Sequence, residues 1–255
     1  MPKTHNWDNT LINRVPHIIF LYWVIKIAST TLGETGADMF SMTYDFGYAT
    51  TILIFMALFG LFLAIKLSIK RYEPLTYWLT FTATAIVGTA ISDYIDRTLR
   101  LGYTMGSLLL ITLLIVVLAA WYFHDKTINV EYITNTTSEI YYWTAFLIAN
   151  TLGTAAGDFL ADELQLGFAQ SAIIITGALI VIALLHFYTK ISTVLLFWLA
   201  FVLTRPFGAT FGDLLTKTHE KGGLDLGTVS SSLFFAVILV LAVAKEVQTE
   251  KIAKY

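Results

Sequence analysis

The stretch WLTFTATAIVGTAISD, residues 78–93, decides the fold, because its landmarks recur in three other places in the chain. A glycine follows the tryptophan by ten residues and an aspartate follows it by fifteen, and no copy needs a gap. Four copies in one register indicate a fourfold internal repeat. The landmarks are Trp23, Trp78, Trp143 and Trp198, then Gly33, Gly88, Gly153 and Gly208, then Asp38, Asp93, Asp158 and Asp213.

Each copy continues into a second apolar stretch that opens on a glycine. The fourth copy carries an insertion before this glycine. We therefore expect two helices per repeat, with repeats at 15–73, 74–129, 138–192 and 193–251. The opening glycines are Gly47, Gly102, Gly167 and Gly227.

Composition places these helices in a membrane. Of the 255 residues, 56% are hydrophobic and only 13% are charged, whereas soluble domains carry about 25% charged residues. This excludes a disordered chain and an ordinary cytosolic enzyme. The net charge of −2 offers no basic patch for nucleic acid. There is no cysteine, which excludes a thiolate metal site.

A membrane-spanning helix needs roughly 20 mostly apolar residues. We predict an all-α polytopic membrane protein with eight transmembrane helices in a single domain, 1–255. Lysine and arginine favour the side that holds both termini by ten to four, which predicts cytoplasmic termini. The predicted spans are 17–39, 48–69, 75–97, 103–123, 139–162, 168–188, 193–217 and 227–245.

Because each copy contains two helices, successive copies enter the membrane in the same orientation. They are therefore parallel repeats, related by an axis along the membrane normal. We expect a ring with pseudo-fourfold symmetry. The odd helices are rich in glycine, alanine and threonine, which allow close helix packing, so we place them inside. The even helices are rich in leucine, isoleucine and valine and suit lipid contact.

On the quoted tryptophan, glycine and aspartate positions, the chain resembles a bacterial family of integral membrane proteins with four tandem two-helix repeats. The resemblance covers roughly residues 15–245. It implies the repeat architecture and a location in the bacterial inner membrane. The repeat of that family has no assigned function, so the resemblance implies no chemistry.

The four motif aspartates are the leading candidates for a functional site. Carboxylates cost at least about 2.5–3.5 kcal/mol near the bilayer centre, and rings of them attract cations. The alternative is a structural cap copied four times by duplication. Asp96, Asp162 and Glu163 follow the motif and are expected to face water. Hydroxyl groups one turn before the aspartates, on Thr35, Thr89, Thr154 and Thr210, are candidate neutral ligands.

The copies also differ in ways that favour function. The first alone has Lys26 within its span and Glu34 one turn before Asp38, and the fourth alone has Arg205 followed by Pro206. Ionisable groups within a membrane are functional candidates, and the alternative for Lys26 and Arg205 is that each neutralises a motif carboxylate. This broken symmetry favours a transporter over a plain fourfold pore.

Three functions follow as hypotheses. The first is a transporter or channel for a cation, either a hard metal ion such as Mn²⁺, Mg²⁺ or Ca²⁺, or H⁺ or Na⁺, because oxygen ligands favour these ions. The second is a proton-coupled exporter of a small organic solute, with Glu34 or Asp38 as proton carrier and Lys26 or Arg205 as counter-charge. The third is a non-transporting structural protein.

We expect no enzyme, because no nucleophile–base pair or metal-spaced histidines stand out. No organic cofactor is implied, and a bound divalent cation is the one inorganic candidate. The expected partners are the lipid bilayer and a small cation or solute. The sequence is also compatible with a homo-oligomer.

Overall fold

The computed structural model describes residues 13–128, 130 and 132–252, which form eight long α-helices and no β-strand. The helices match the predicted spans closely, and the largest difference is at the last, which continues beyond residue 245. In chain order they are α1 Phe20–Asp38, α2 Gly47–Ser68, α3 Pro74–Asp93, α4 Gly102–Asp125, α5 Thr136–Asp158, α6 Gly167–Tyr188, α7 Thr193–Thr216 and α8 Thr228–Ile252.

The odd helices, here called the inner helices, pack against one another in a closed circuit. Helix α1 contacts α3 and α7, and α5 contacts the same two helices. The even or outer helices pack on the inner helix of the following copy: α2 on α3, α4 on α5, and α6 on α7. The last outer helix, α8, packs on α1, so every copy is covered by its neighbour.

The helices are those of a membrane protein. Six of them are long and apolar enough to cross a bilayer. The other two, α1 and α5, have 19 and 23 residues but contain several buried polar side chains, which lowers their mean hydropathy. The six are Gly47–Ser68, Pro74–Thr98, Gly102–Asp125, Gly167–Tyr188, Leu195–Thr216 and Thr228–Ile252.

The turns from inner to outer helices explain the second set of repeated glycines. Gly47, Gly102, Gly167 and Gly227 have φ angles of 71°, 73°, 72° and 80°, a region that L side chains rarely adopt. In the first three copies a π-helical turn precedes this glycine, and in the fourth the insertion forms a short 3₁₀-helix, His219–Lys221. These glycines therefore have a structural role.

The first set of glycines lies where inner helices touch. A methyl group added at Gly33 would come within 2.6 Å of the Ala85 Cβ and 2.9 Å of the Ala85 carbonyl carbon. By contrast, Gly60 on outer helix α2 has nothing within 4 Å of the same position. The inner helices thus approach each other as closely as glycine permits.

We expect Gly33→Ala to lower the free energy of unfolding by about 1–3 kcal/mol, because the helices must separate to accept the methyl group. The matched control is Gly60→Ala, which should raise it by about 0.5–1 kcal/mol through better helix propensity. Denaturation with SDS in mixed micelles, followed by tryptophan fluorescence, measures both. Equal effects of the two substitutions would contradict the close packing.

Candidate functional site

A column of buried side chains runs along the centre of the inner helices. The count starts at the aromatic residue before each tryptophan and ends at the motif aspartate. Every fourth residue between them is buried in all four copies. A step of four residues is little more than one helical turn, so these side chains form one stripe on each helix. The five tiers are Tyr22, Tyr77, Tyr142 and Phe197; Lys26, Phe81, Phe146 and Phe201; Thr30, Ala85, Asn150 and Arg205; Glu34, Thr89, Thr154 and Ala209; and Asp38, Asp93, Asp158 and Asp213.

The second tier is a closed ring of one lysine and three phenylalanines. The Phe146 ring lies 5.7 Å from that of Phe81 and 4.9 Å from that of Phe201, centre to centre. The Lys26 Nζ atom lies 3.8 Å from the centre of the Phe201 ring. It donates to the Phe201 carbonyl at 2.9 Å and to the Thr204 hydroxyl at 2.5 Å. Within the described part of the chain, Lys26 forms no ion pair.

Arg205 joins the third and fourth tiers. Its guanidinium donates to the hydroxyls of Thr89 and Thr154 at 2.5 and 2.6 Å, and lies 3.4 Å from a carboxylate oxygen of Glu34. The Thr89 hydroxyl also donates to that oxygen, at 3.1 Å. Arg205 itself is 3% exposed. One side chain of α7 thus bonds to groups on α1, α3 and α5.

The four motif aspartates gather at the end of the column, which we call the aspartate end. The ammonium of Lys217 lies 2.5 Å from Asp38 and 3.0 Å from Asp213. The guanidinium of Arg97 lies 3.3 Å from Asp93 and 3.6 Å from Asp158. Each cation therefore serves two aspartates.

The carboxylates outnumber their cations. Glu34 and the four aspartates make five carboxylates, and they pair with three cations: Arg205, Lys217 and Arg97. Glu34, Asp38 and Asp213 each place one oxygen within 4.8 Å of the others, a spacing that could hold a metal ion. Burial lowers the pKa of Lys217, but the charges of Asp213 and Asp38 outweigh it and hold that pKa well above its usual value.

The predicted hydroxyl groups do not form one set. Thr89 and Thr154 meet at Arg205, but Thr35 accepts a hydrogen bond from Ser232 at 3.0 Å. The Thr210 hydroxyl donates to the Pro206 carbonyl of its own helix at 3.0 Å. The reason is register, since Thr35 and Thr210 stand twelve residues after their tryptophans and the other two stand eleven. The fourth tier therefore holds Glu34 and Ala209 in their place.

The three acidic residues that follow the motif differ in their exposure to solvent. Asp162 and Glu163 are exposed, as predicted, whereas Asp96 is buried. Asp96 accepts a hydrogen bond from Ser92 at 3.4 Å and lies against Gly106, whose lack of a side chain makes room for it. The prediction that Asp96 faces water was wrong.

A second buried ionic cluster, at the opposite end of the molecule, was not predicted from the sequence. Glu139 pairs with Lys66 at 2.7 Å and with Arg14 at 2.8 Å, and all three side chains are buried. Nearby, Glu246 accepts hydrogen bonds from the Trp78 indole at 2.7 Å and the Tyr72 hydroxyl. The available signal was position: Lys66 and Glu246 both stand nineteen residues after the glycine that opens their outer helix.

Fold and column together define an all-helical membrane protein built from four two-helix repeats around a polar core. A family model described as a repeat of unknown function (DUF347) matches residues 21–72, 76–127, 141–192 and 196–251. The chain belongs to this family, which confirms the resemblance seen in the sequence. Searches of curated proteins and of solved structures gave no significant match.

Proposed function

We propose that the protein is a secondary membrane transporter for a cation and that the carboxylates at the aspartate end form its cation site. The observation that carries this proposal is the convergence of five buried carboxylates on only three cations. Like charges held together in a buried site favour binding of a proton or a metal ion. Hard cations such as Mn²⁺, Mg²⁺ or Ca²⁺, or H⁺ or Na⁺, match these oxygen ligands.

The proposal includes a topology. All eight helices cross the bacterial inner membrane about a pseudo-fourfold axis, with both termini in the cytoplasm and the aspartate end outside. Two features support the crossing of all eight helices: the closed circuit of inner helices and the burial of the polar residues of α1 and α5. The orientation rests on the bias of lysine and arginine in the sequence. Hydropathy alone does not select those two helices, because they contain many polar residues. They can still cross the bilayer, because these side chains are buried and face away from lipid.

Two features favour a transporter over an open channel. The first two tiers carry aromatic rings packed across the axis, so the column is closed at the end away from the aspartates. At the aspartate end, the ammonium of Lys217 forms ion pairs with Asp38 and Asp213. A transported cation would exchange with this ammonium, which holds the two carboxylates when the cation is absent.

Flux into proteoliposomes tests the proposal. We expect Asp38→Asn and Asp213→Asn each to slow uptake of the transported cation at least tenfold, because each removes one charged ligand. Both variants should still fold, since Lys217 keeps one aspartate partner in each. Calcein-loaded vesicles report Mn²⁺ entry, a pH dye reports H⁺, and radioactive Na⁺, Mg²⁺ and Ca²⁺ complete the panel.

The matched control is Glu163→Gln, an exposed acid at the same end, which should leave flux unchanged. Unchanged flux in both aspartate variants would reject the proposed site. Absence of flux for every cation in the unmodified protein, with the aspartate variants less stable, would favour the structural alternative.

A second candidate function is favoured by the pairing of Glu34 with Arg205 in the middle of the column. In this scheme Glu34 is the proton carrier of an exporter for a small organic solute, and Arg205 is its counter-charge. Export of the organic solute would then follow a pH gradient in metal-free buffer. Movement of a solute, rather than of a cation alone, distinguishes the two functions.

A further inference from the structure

A cavity of about 560 Å³ opens on the side of the molecule. It lies over the contact between α5 and α7, in the groove between outer helices α4 and α6. Space arises because α5 presents Ala149, Gly153 and Ala156 there, and the lining is almost entirely apolar. At its rim Leu108 is 53% exposed. Because the rim belongs to apolar helices long enough to cross a bilayer, we expect the cavity to open toward the acyl region.

The inner end of the cavity is polar and holds two basic side chains. Lys26, Asn150 and Arg205 line it. Arg205 is neutralised by Glu34, but Lys26 has no carboxylate partner among the described residues. The Lys26 ammonium has three donors, and protein acceptors take two of them. When Lys26 is protonated, one donor and one charge without a carboxylate partner are left, and a bound carboxylate would supply that partner.

We propose that this cavity binds an amphipathic monocarboxylic acid, whose apolar tail fills the cavity and whose carboxylate meets Lys26. Ligand pockets of about 300–1,000 Å³ with apolar walls and a few polar groups are typical of small-molecule sites. A charged partner at the closed end selects an acid over other apolar molecules, because its hydrogen bond is charge-assisted. The ligand enters sideways from the bilayer, and its binding does not depend on the transport proposed above.

Binding of radioactive dodecanoate to the full-length protein in phosphatidylcholine nanodiscs tests this site. We expect saturable binding, with dodecanol competing roughly tenfold or more weakly, because it lacks the charge that pairs with Lys26. Lys26→Met should remove this preference, so that the acid and the alcohol compete equally.

Two matched variants locate the ligand. Leu108→Trp narrows the rim and should weaken dodecanoate binding at least tenfold. Leu53→Trp is its control, because Leu53 stands at the same repeat position of α2, is 72% exposed and does not line the cavity. Asp38→Asn should bind dodecanoate normally, which separates this site from the proposed cation site.

Three results would overturn the proposal. Equal competition by dodecanol in the unmodified protein would mean that any acyl chain, including a phospholipid tail, fills the cavity. Binding no greater than that of empty nanodiscs would mean that no site exists. Equal effects of Leu108→Trp and Leu53→Trp would place the ligand elsewhere on the molecule.

Discussion

Arg205→Met is expected to lower the free energy of unfolding by about 3–5 kcal/mol, the cost of breaking a buried ion pair by removing one partner. The guanidinium of Arg205 bonds to Thr89 and Thr154 and is the cation beside Glu34. Without it, Glu34 is left in the middle of the column with no cation beside it. Methionine keeps much of the volume, so the loss reports the charge and its hydrogen bonds rather than a cavity.

A double variant separates the two contributions. Glu34→Gln combined with Arg205→Met removes both charges, and we expect it to regain about 2 kcal/mol or more of the lost stability. The control is Lys221→Met, which removes an exposed cation and should change stability by less than about 0.5 kcal/mol. SDS titration in mixed micelles provides the free energies. A double variant no more stable than Arg205→Met would show that Glu34 does not depend on Arg205.

The repeat made much of this architecture predictable. A landmark that recurs four times predicts the number of helices, the register of the copies and the glycines that open the outer helices. It also identified Lys26, Glu34 and Arg205, since each departs from its equivalents in the other copies. Duplication preserves the backbone, so whatever depends on the backbone recurs and can be found by spacing.

Side-chain partners were harder to predict, because a shift of one residue along a helix points a side chain at a different neighbour. Thr35 and Thr89 look equivalent beside their aspartates, yet they stand in adjacent registers, which differ by about 100° around a helix of 3.6 residues per turn. The phenylalanines around Lys26 were missed for a related reason. An apolar residue in a membrane helix carries no sequence signal for facing inward, and only the step of four residues from the tyrosine tier reveals it.

Spacing marks the position of Lys66 but does not reveal its partners, because the members of the Glu139 cluster come from different copies and positions. Lys66 lies on α2, Glu139 on α5, and Arg14 before α1. No local pattern links them. They meet because the closed circuit brings the first turn of α5 close to the end of α2 and to the segment that precedes α1.

We expect Glu139→Gln to be among the most damaging single substitutions, with a loss of about 3–5 kcal/mol. It leaves two buried cations, Lys66 and Arg14, side by side with no carboxylate between them. Lys66→Met should cost less, because Arg14 continues to neutralise Glu139 at 2.8 Å. The order of these two losses is the test, and it is measured by the same SDS titration.

Trypsin cleavage of the segment before α1, which this cluster holds in place, gives an independent measurement. The Arg14 backbone N–H donates to the Ile133 carbonyl at 3.0 Å, so Arg14 is fixed by both its side chain and its main chain. Loss of Glu139 should release it and speed trypsin cleavage after Arg14, whereas the exposed control Glu220→Gln should not. Slow cleavage together with equal losses for Glu139→Gln and Lys66→Met would mean that packing, rather than the ion pairs, holds this end closed. Faster cleavage with the expected order would establish that Glu139 holds the segment before α1 against the repeats.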